Sequence, residues 1–205
     1  MQYDCYELNT IDEVVPLLEQ LDGFSVTAPY KQSIIPYLDE LDATAATIGA
    51  VNVVSHRKGY NTDWIGFRQA ILPYLTPHDS HAIILGTGGA ARAVQFALND
   101  LGITTLMVSR TEGKADVTYA DLDEHLMQSH SIIVNCTPLG MHPHTCRMPE
   151  INSKLVTSAH ILYDCIYNPE ETLFIKTGRQ AGARIANGLR MFEHQADAAW
   201  KIWNN

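Results

Sequence analysis

Long apolar runs are missing from this 205-residue chain. The longest, such as Ser131-Ile132-Ile133-Val134-Asn135-Cys136, have the length of a strand, well short of the ~20 residues a membrane-spanning helix needs. The opening Met1-Gln2-Tyr3-Asp4-Cys5 has neither the basic nor the apolar part of a secretion signal, so no membrane partner is expected. Positive charge is also scarce. The 14 Lys and Arg face 23 Asp and Glu, a formal net charge of −9, and no basic stripe or lysine run occurs. Such a surface repels a phosphate backbone: no nucleic-acid partner is expected, and positive charge must be concentrated at a small site. Cys5, Cys136, Cys146 and Cys165 include no C-x-x-C pair, and a chain of this size folds without disulfide staples, which points to a reducing cytoplasm. His142, His144 and Cys146 alternate in an extended segment, but Pro143 separates the histidines and no fourth ligand lies nearby, so no metal is expected.

What the chain does have is glycine in a demanding place. In Ile83-Ile84-Leu85-Gly86-Thr87-Gly88-Gly89-Ala90-Ala91-Arg92-Ala93 an apolar strand enters a glycine-rich turn and then a helix of small residues. Gly86 permits the tight turn, Gly88 lets backbone approach phosphates, and Ala91 keeps helix and strand close. Gly86, Thr87, Gly88, Gly89, Ala90 and Ala91 are therefore the candidate cradle for a dinucleotide pyrophosphate at a positive helix end. Any tight strand-to-helix turn also selects glycine, so the motif needs company. A second absence supplies it: about 20 residues on, where an acid would read the ribose of NAD, there is none. The run Thr104-Thr105-Leu106-Met107-Val108 ends instead in Ser109, Arg110, Thr111 and Lys114, which suit the 2′-phosphate of NADP because a guanidinium grips phosphate in a fork. The plainer alternative is a solvated loop with ordinary charges, which Glu112 suits.

Periodicity changes along the chain. Residues 82–85, 104–108, 131–136 and 161–166 read as strands, with helices at 90–101, 119–128 and 170–180 between them, the pattern of a parallel α/β sheet. Residues 73–80 are rich in breakers and mark a domain boundary. Beyond the last strand, Leu189, Phe192, Ala196, Ala199 and Trp203 give a helix over 187–203 one apolar face, read as packing, with the polar Gln195 as the exception. Before the boundary, residues 3–8 read as a strand, Thr10 to Glu13 as a capping box, and 23–26 as a second strand. Pro16 demands a later helix start or a kink.

Three further segments carry chemistry-bearing residues: Ser25-Val26-Thr27-Ala28-Pro29-Tyr30-Lys31, Ile48-Gly49-Ala50-Val51-Asn52, and Asn61-Thr62-Asp63-Trp64-Ile65-Gly66-Phe67. With the glycine turn, Asn135-Cys136-Thr137-Pro138-Leu139-Gly140-Met141, and Asn187-Gly188-Leu189-Arg190-Met191 followed by Gln195, they make the chain resemble the shikimate dehydrogenase family over almost its whole length. The resemblance implies an α/β fold in which a Rossmann-type NADP-binding domain at 80–186 is joined to a smaller α/β substrate domain at 1–75. The C-terminal helix within 187–205 packs back across the hinge to complete the latter. It implies reversible reduction of 3-dehydroshikimate to shikimate with NADPH. Lys31 and Asp63 match the family's catalytic lysine and aspartate, and Thr27, Asn52, Tyr167 and Gln195 its substrate ligands. Ser25 stands where the family usually has asparagine and joins the substrate set. Cys136, Thr137, Pro138, Leu139, Gly140 and Met141, together with Gly188 and Met191, are expected to border the nicotinamide. Hydride transfer to a ketone leaves charge on oxygen, so an ammonium there, held by a carboxylate, is chemically apt.

Family members usually begin with a strand and helix ahead of the segment matching residues 3–8, carrying a serine pair for the substrate carboxylate, and this sequence has no counterpart. A shortened substrate domain is therefore expected, compensated by homo-oligomerisation or strand exchange. Two alternatives stand beside the main reading: a nucleotide-binding sensor without turnover, and a dehydrogenase for quinate or a related cyclic polyol acid.

Overall fold

From His81 onward the strand-length apolar runs pair side by side. The computed structural model describes residues 4–204. In it, β5 (His81–Leu85), β6 (Thr104–Ser109), β7 (Val117–Thr118), β8 (Ile132–Asn135), β9 (Ile161–Asp164) and β10 (Arg184–Ala186) form a parallel sheet in the order β10-β9-β8-β5-β6-β7. This is the doubly wound order of a Rossmann fold, and it reverses between β5 and β8, where a crevice opens at the strands' carboxyl ends. Leu85 lies beside Asn135 and Asn135 beside Asp164, so the ends of three strands finish level at that crevice.

Two helix layers explain why the central strands β5, β8 and β9 are mostly apolar. Alternation along each strand sends Ile84 and Val134 toward α3 (Asp63–Ile71) and α4 (Gly89–Asp100), where they pack with Phe67, Val94 and Leu98. It sends Ile83, Leu85 and Ile133 toward α5 (Glu124–Ser129) and α6 (Leu173–Gln180), with Met127, Phe174 and Ile175. A strand buried on both faces cannot alternate in polarity, so it reads as a continuous apolar run.

The other sheet is small. β1 (Gly23–Ser25), β2 (Glu40–Leu41), β3 (Val53–Ser55) and β4 (Lys58–Tyr60) lie in the order β1-β3-β4-β2. α1 (Val15–Gln20) and α2 (Ala43–Ile48) accompany it. α7 (Leu189–Trp203) leaves the parallel sheet, crosses α3 and reaches this second sheet, where the Trp203 indole donates to the Val54 carbonyl at 2.9 Å. The α3–α7 crossing depends on Gly66: a Cβ there would sit 2.5 Å from the Met191 carbonyl oxygen.

Several expected boundaries shift. Of the strand expected over residues 3–8, Tyr3 lies outside the described residues, and 4–8 form no strand: among the described residues the small sheet ends at β1. The Glu13 carboxylate accepts from the Thr10 amide at 3.1 Å as the box pattern requires, and α1 starts only at Val15, with Pro16 in its first turn. The helix expected over 119–128 is interrupted. Tyr119–Asp121 is a single 3-10 turn, and the Asp123 side chain then caps α5 by accepting from the Leu126 amide at 2.8 Å. Helices α6 and α7 begin at Leu173 and Leu189, later than the expected 170 and 187.

One buried carboxylate ties the breaker-rich segment to the parallel sheet. Asp79 accepts from both Arg184 terminal nitrogens at 2.8 and 2.9 Å, from Ser131 Oγ at 2.7 Å, and from the Thr76 amide at 2.7 Å. Burial pushes this carboxyl up, but the Arg184, Ser131 and Thr76 donors outweigh it and hold the group well below the usual carboxylate range. A carboxyl depressed in the folded state adds stability above its ordinary value of 3.8, and that stability is lost as pH falls through the folded-state value. Asp79→Asn is expected to cost about 2 kcal/mol at neutral pH in urea unfolding, with the gap from the parent protein narrowing below about pH 4. A gap that does not vary with pH would show that the carboxylate's charge is immaterial.

Candidate active site

Three local devices bring the polar residues of the smaller unit together. The left-handed Gly49, at φ 67°, ends α2 and turns the chain into Ala50-Val51-Asn52. The Val51 amide donates to the Lys31 carbonyl at 2.7 Å, and Asn61 Nδ2 donates to the Ala50 carbonyl at 2.9 Å, so the lysine segment and the start of α3 are strapped to the same stretch. Asn52 then organises the centre. Its Oδ1 accepts from the Thr62 amide at 2.6 Å, and its Nδ2 lies 2.9 Å from Thr62 Oγ1, 3.2 Å from Asp63 Oδ1 and 3.1 Å from Gln195 Oε1.

Lys31 Nζ donates to Asp63 Oδ2 at 2.7 Å, with side chains 19% and 7% exposed. The lysine stem lies against the glycine turn: a Cβ on Gly89 would come within 2.9 Å of Lys31 Cβ and 3.3 Å of its Cδ. The ion pair therefore sits where the two α/β units meet, beside the N-terminus of α4. It borders a cleft of about 790 Å³. Ser25, Thr27, Asn52, Tyr167 and Gln195, the whole set nominated for substrate, line this same cleft, as do Ala90, Gly188 and Met191 from the nucleotide set.

The wall of the cleft formed by α7 differs from expectation. The apolar stripe of α7, expected to be packing, is largely open: Leu189 is 45% and Phe192 46% exposed, and Phe192, Ala196, Ala199 and Trp203 line the cleft together with Trp200. Phe192 packs against Tyr167 with ring centroids 5.1 Å apart. Periodicity reveals an apolar face but not what covers it; only Met191 and Ala199 of this helix are buried.

At the carboxyl ends of β5 and β8 lies the nominated nucleotide site. Gly86 has φ 113°, and a Cβ on Gly88 would meet no protein atom within 4 Å, so the space above the turn is free for a ligand to approach backbone. The residue set of the turn therefore fits a pyrophosphate. The 136–141 turn is shaped by Asn135, whose Oδ1 accepts from the Thr137 amide at 3.0 Å and its hydroxyl at 2.7 Å. Gly140, at φ 104°, is buried against the Arg147 carbonyl, whereas Pro138 and Met141 are not buried.

The 2′-phosphate set is not gathered in one pocket. Ser109 is buried and its Oγ accepts from the Thr111 amide at 3.0 Å, so that hydroxyl shapes the loop. Arg110 acts electrostatically on Tyr119, whose hydroxyl burial nevertheless pushes up to about 12. Lys114 instead borders a separate cleft of about 350 Å³ with Thr87 and Arg92. Arg92 was not nominated; its only sequence signal was its place in the first turn of the glycine-loop helix.

Asp164 was also missed. It is fully buried and accepts from Asn135 Nδ2 at 3.0 Å, the Ile166 amide at 3.1 Å and Thr172 Oγ1 at 2.6 Å. It thus joins the 136–141 turn to the segment carrying Tyr167. Burial raises its carboxyl to about 6, against the three donors that favour its charge.

Residues 2–54 match the family profile for the shikimate dehydrogenase substrate binding domain. The NADP(+)-dependent shikimate dehydrogenase of Carboxydothermus hydrogenoformans is 39% identical over 88% of this chain and 71% of its own length. The chain belongs to the shikimate dehydrogenase family. Among solved structures, shikimate dehydrogenase from Thermotoga maritima aligns with a TM-score of 0.83 at 30% identity, covering 94% of this chain and 76% of that one. The shikimate 5-dehydrogenase of Thermus thermophilus, solved in complex with NADP(H) and shikimate, aligns with a TM-score of 0.82 at 27% identity over 94% and 77%. Both the parallel sheet and the smaller unit fall within the aligned span of this family's fold.

Proposed function

We propose that the chain is an NADP-dependent oxidoreductase that interconverts 3-dehydroshikimate and shikimate in the cleft between its two α/β units. The observation that carries this reading is the Lys31–Asp63 pair, 2.7 Å apart, on a cleft wall packed against Gly89 of the glycine turn. Residues 1–75 with the C-terminal helix hold the substrate, and residues 80–186 hold the cofactor. NADPH, when bound, supplies the hydride. The Gly86-to-Ala91 turn would hold its pyrophosphate, Arg110, Thr111 and Lys114 would serve its 2′-phosphate, and the 136–141 turn, Gly188 and Met191 would border its nicotinamide.

The chain's own groups do the rest. As charge develops on the carbonyl oxygen, the Lys31 ammonium stabilises it and donates the proton. Asp63 orients that ammonium, and its other oxygen faces Asn52 Nδ2 at 3.2 Å, leaving both groups poised for ring hydroxyls. Ser25, Thr27, Tyr167 and Gln195 supply hydrogen bonds around the ring, while Phe192 and Trp200 present an apolar wall. A homo-oligomer is part of the proposal, because β1 is an edge strand whose outer side a second copy can pair. So is a cytoplasmic setting, where four free cysteines stay reduced.

NADPH oxidation followed with 3-dehydroshikimate tests the reading. Turnover is expected, with NADH at least about tenfold poorer in kcat/KM. Tight NADPH binding without turnover would replace the enzyme with a binding protein, and faster oxidation of quinate than of shikimate would change the substrate.

A further inference from the structure

Because β8 and β9 run in register, with Asn135 beside Asp164, the next residue of each strand, Cys136 and Cys165, falls side by side on the same face. Their sulfurs are 3.7 Å apart. Neighbouring strands lie ~4.8 Å apart, inside the Cα span a disulfide bridges, so residues that follow two paired strands are within reach of a bond. The two thiols are unequal. Cys165 lines the 790 Å³ cleft, whereas Cys136 does not border it, and burial pushes the Cys136 thiol well above its ordinary value. Both residues are partly exposed, and of the two only Cys165 lines this cleft.

We propose that Cys136 and Cys165 are a redox-modifiable dithiol, with Cys165 on the wall of the cleft, which a peroxide converts to a disulfide. The Cys165 sulfur attacks a peroxide oxygen: an S–O bond forms, the O–O bond breaks, and the thiol proton leaves with the departing oxygen as water or an alcohol. The Cys136 sulfur then attacks the sulfenic sulfur. The S–S bond forms, the S–O bond breaks, and the hydroxyl leaves as water with the Cys136 proton. Two electrons pass from the sulfur pair to the peroxide, and an added dithiol reverses the change. Gly188 and Cys165 line the same cleft, so a nicotinamide bordered by Gly188 would lie on the wall that carries Cys165 and shield it. This shielding rests on the cofactor reading; the dithiol does not.

The test uses the full chain with the exposed Cys5 and Cys146 replaced by serine, reduced and then treated with hydrogen peroxide. Intact-mass measurement is expected to show a loss of about 2 Da, and peptide mapping a link between the segments containing Cys136 and Cys165. With Cys136→Ser added, dimedone is expected to trap a sulfenic acid at Cys165; with Cys165→Ser added, Cys136 is expected to stay reduced. Saturating NADP+ is expected to slow the cross-link at least about tenfold. Both thiols remaining alkylatable, under conditions that oxidise Cys5 and Cys146 in the parent protein, would overturn the dithiol. Sulfenic acid at Cys136 in the Cys165→Ser protein would overturn the order of attack. A cross-link that forms equally fast with NADP+ shown by titration to be bound would remove the cofactor from this wall while the dithiol stands.

Discussion

Lys31→Ala is expected to lower kcat for 3-dehydroshikimate reduction by about 10³-fold and to leave the Kd for NADPH within about threefold of the parent value. The two numbers separate because the amine lines the cleft, paired with Asp63 at 2.7 Å, while its aliphatic stem lies against Gly89 of the glycine turn. Truncation leaves Asp63, 7% exposed, with a carboxylate that has lost its cation, and this cost falls on the fold as well as on catalysis. Lys31→Met distinguishes the two by keeping the stem. It is expected to lose kcat as Ala does, with less effect on unfolding. Equal losses in kcat and NADPH binding would mean that Lys31 serves the interface between the units rather than the reaction.

Gly188→Ala is expected to destabilise the protein by more than about 4 kcal/mol, or to prevent folding altogether, as read by urea unfolding. Its Cβ would lie 2.1 Å from the Cys165 carbonyl oxygen and 2.6 Å from the carbonyl carbon, and both are backbone at the end of β9. Neither can rotate away, so α7 would have to move with the residue that starts it. Gly88→Ala is the matched contrast. Its Cβ meets no protein atom within 4 Å, so stability should change little, while the methyl enters the space a pyrophosphate needs and weakens NADPH binding by about 10- to 100-fold. If Gly88→Ala leaves NADPH binding untouched, the phosphates do not lie on this turn.

Four strands of the parallel sheet, β5, β6, β8 and β9, were readable from sequence as apolar runs, punctuated by a glycine turn whose chemistry is local, whereas the short β7 and β10 were not. The smaller sheet was readable only at β1, which falls within the strand expected over 23–26. Its β3–β4 hairpin turns on His56 and Arg57, at φ 47° and 61°, a conformation that glycine or asparagine would advertise and these residues conceal. Arg57 holds that turn through tertiary contact, its guanidinium meeting Asp39 at 2.6 and 2.9 Å. The residues nominated for substrate all reach one cleft, which no spacing rule places: Gln195 and Asn52 are 143 residues apart along the chain, yet their side chains meet at 3.1 Å. What the sequence hid lay in lone residues without a pattern. Asp79 and Asp164 are single acids whose importance comes from donors that only the fold brings to them, and Phe192 belongs to a stripe whose covering partner periodicity cannot name.

The most direct measurement is the structure of the chain with NADP+ and shikimate bound. The account predicts the pyrophosphate on the amides following Gly86, and a shikimate hydroxyl oxygen within hydrogen-bonding distance of both Lys31 Nζ and Asp63, with its carbon facing the nicotinamide. Shikimate bound away from that ion pair, or a nucleotide seated elsewhere than on the glycine turn, would contradict it.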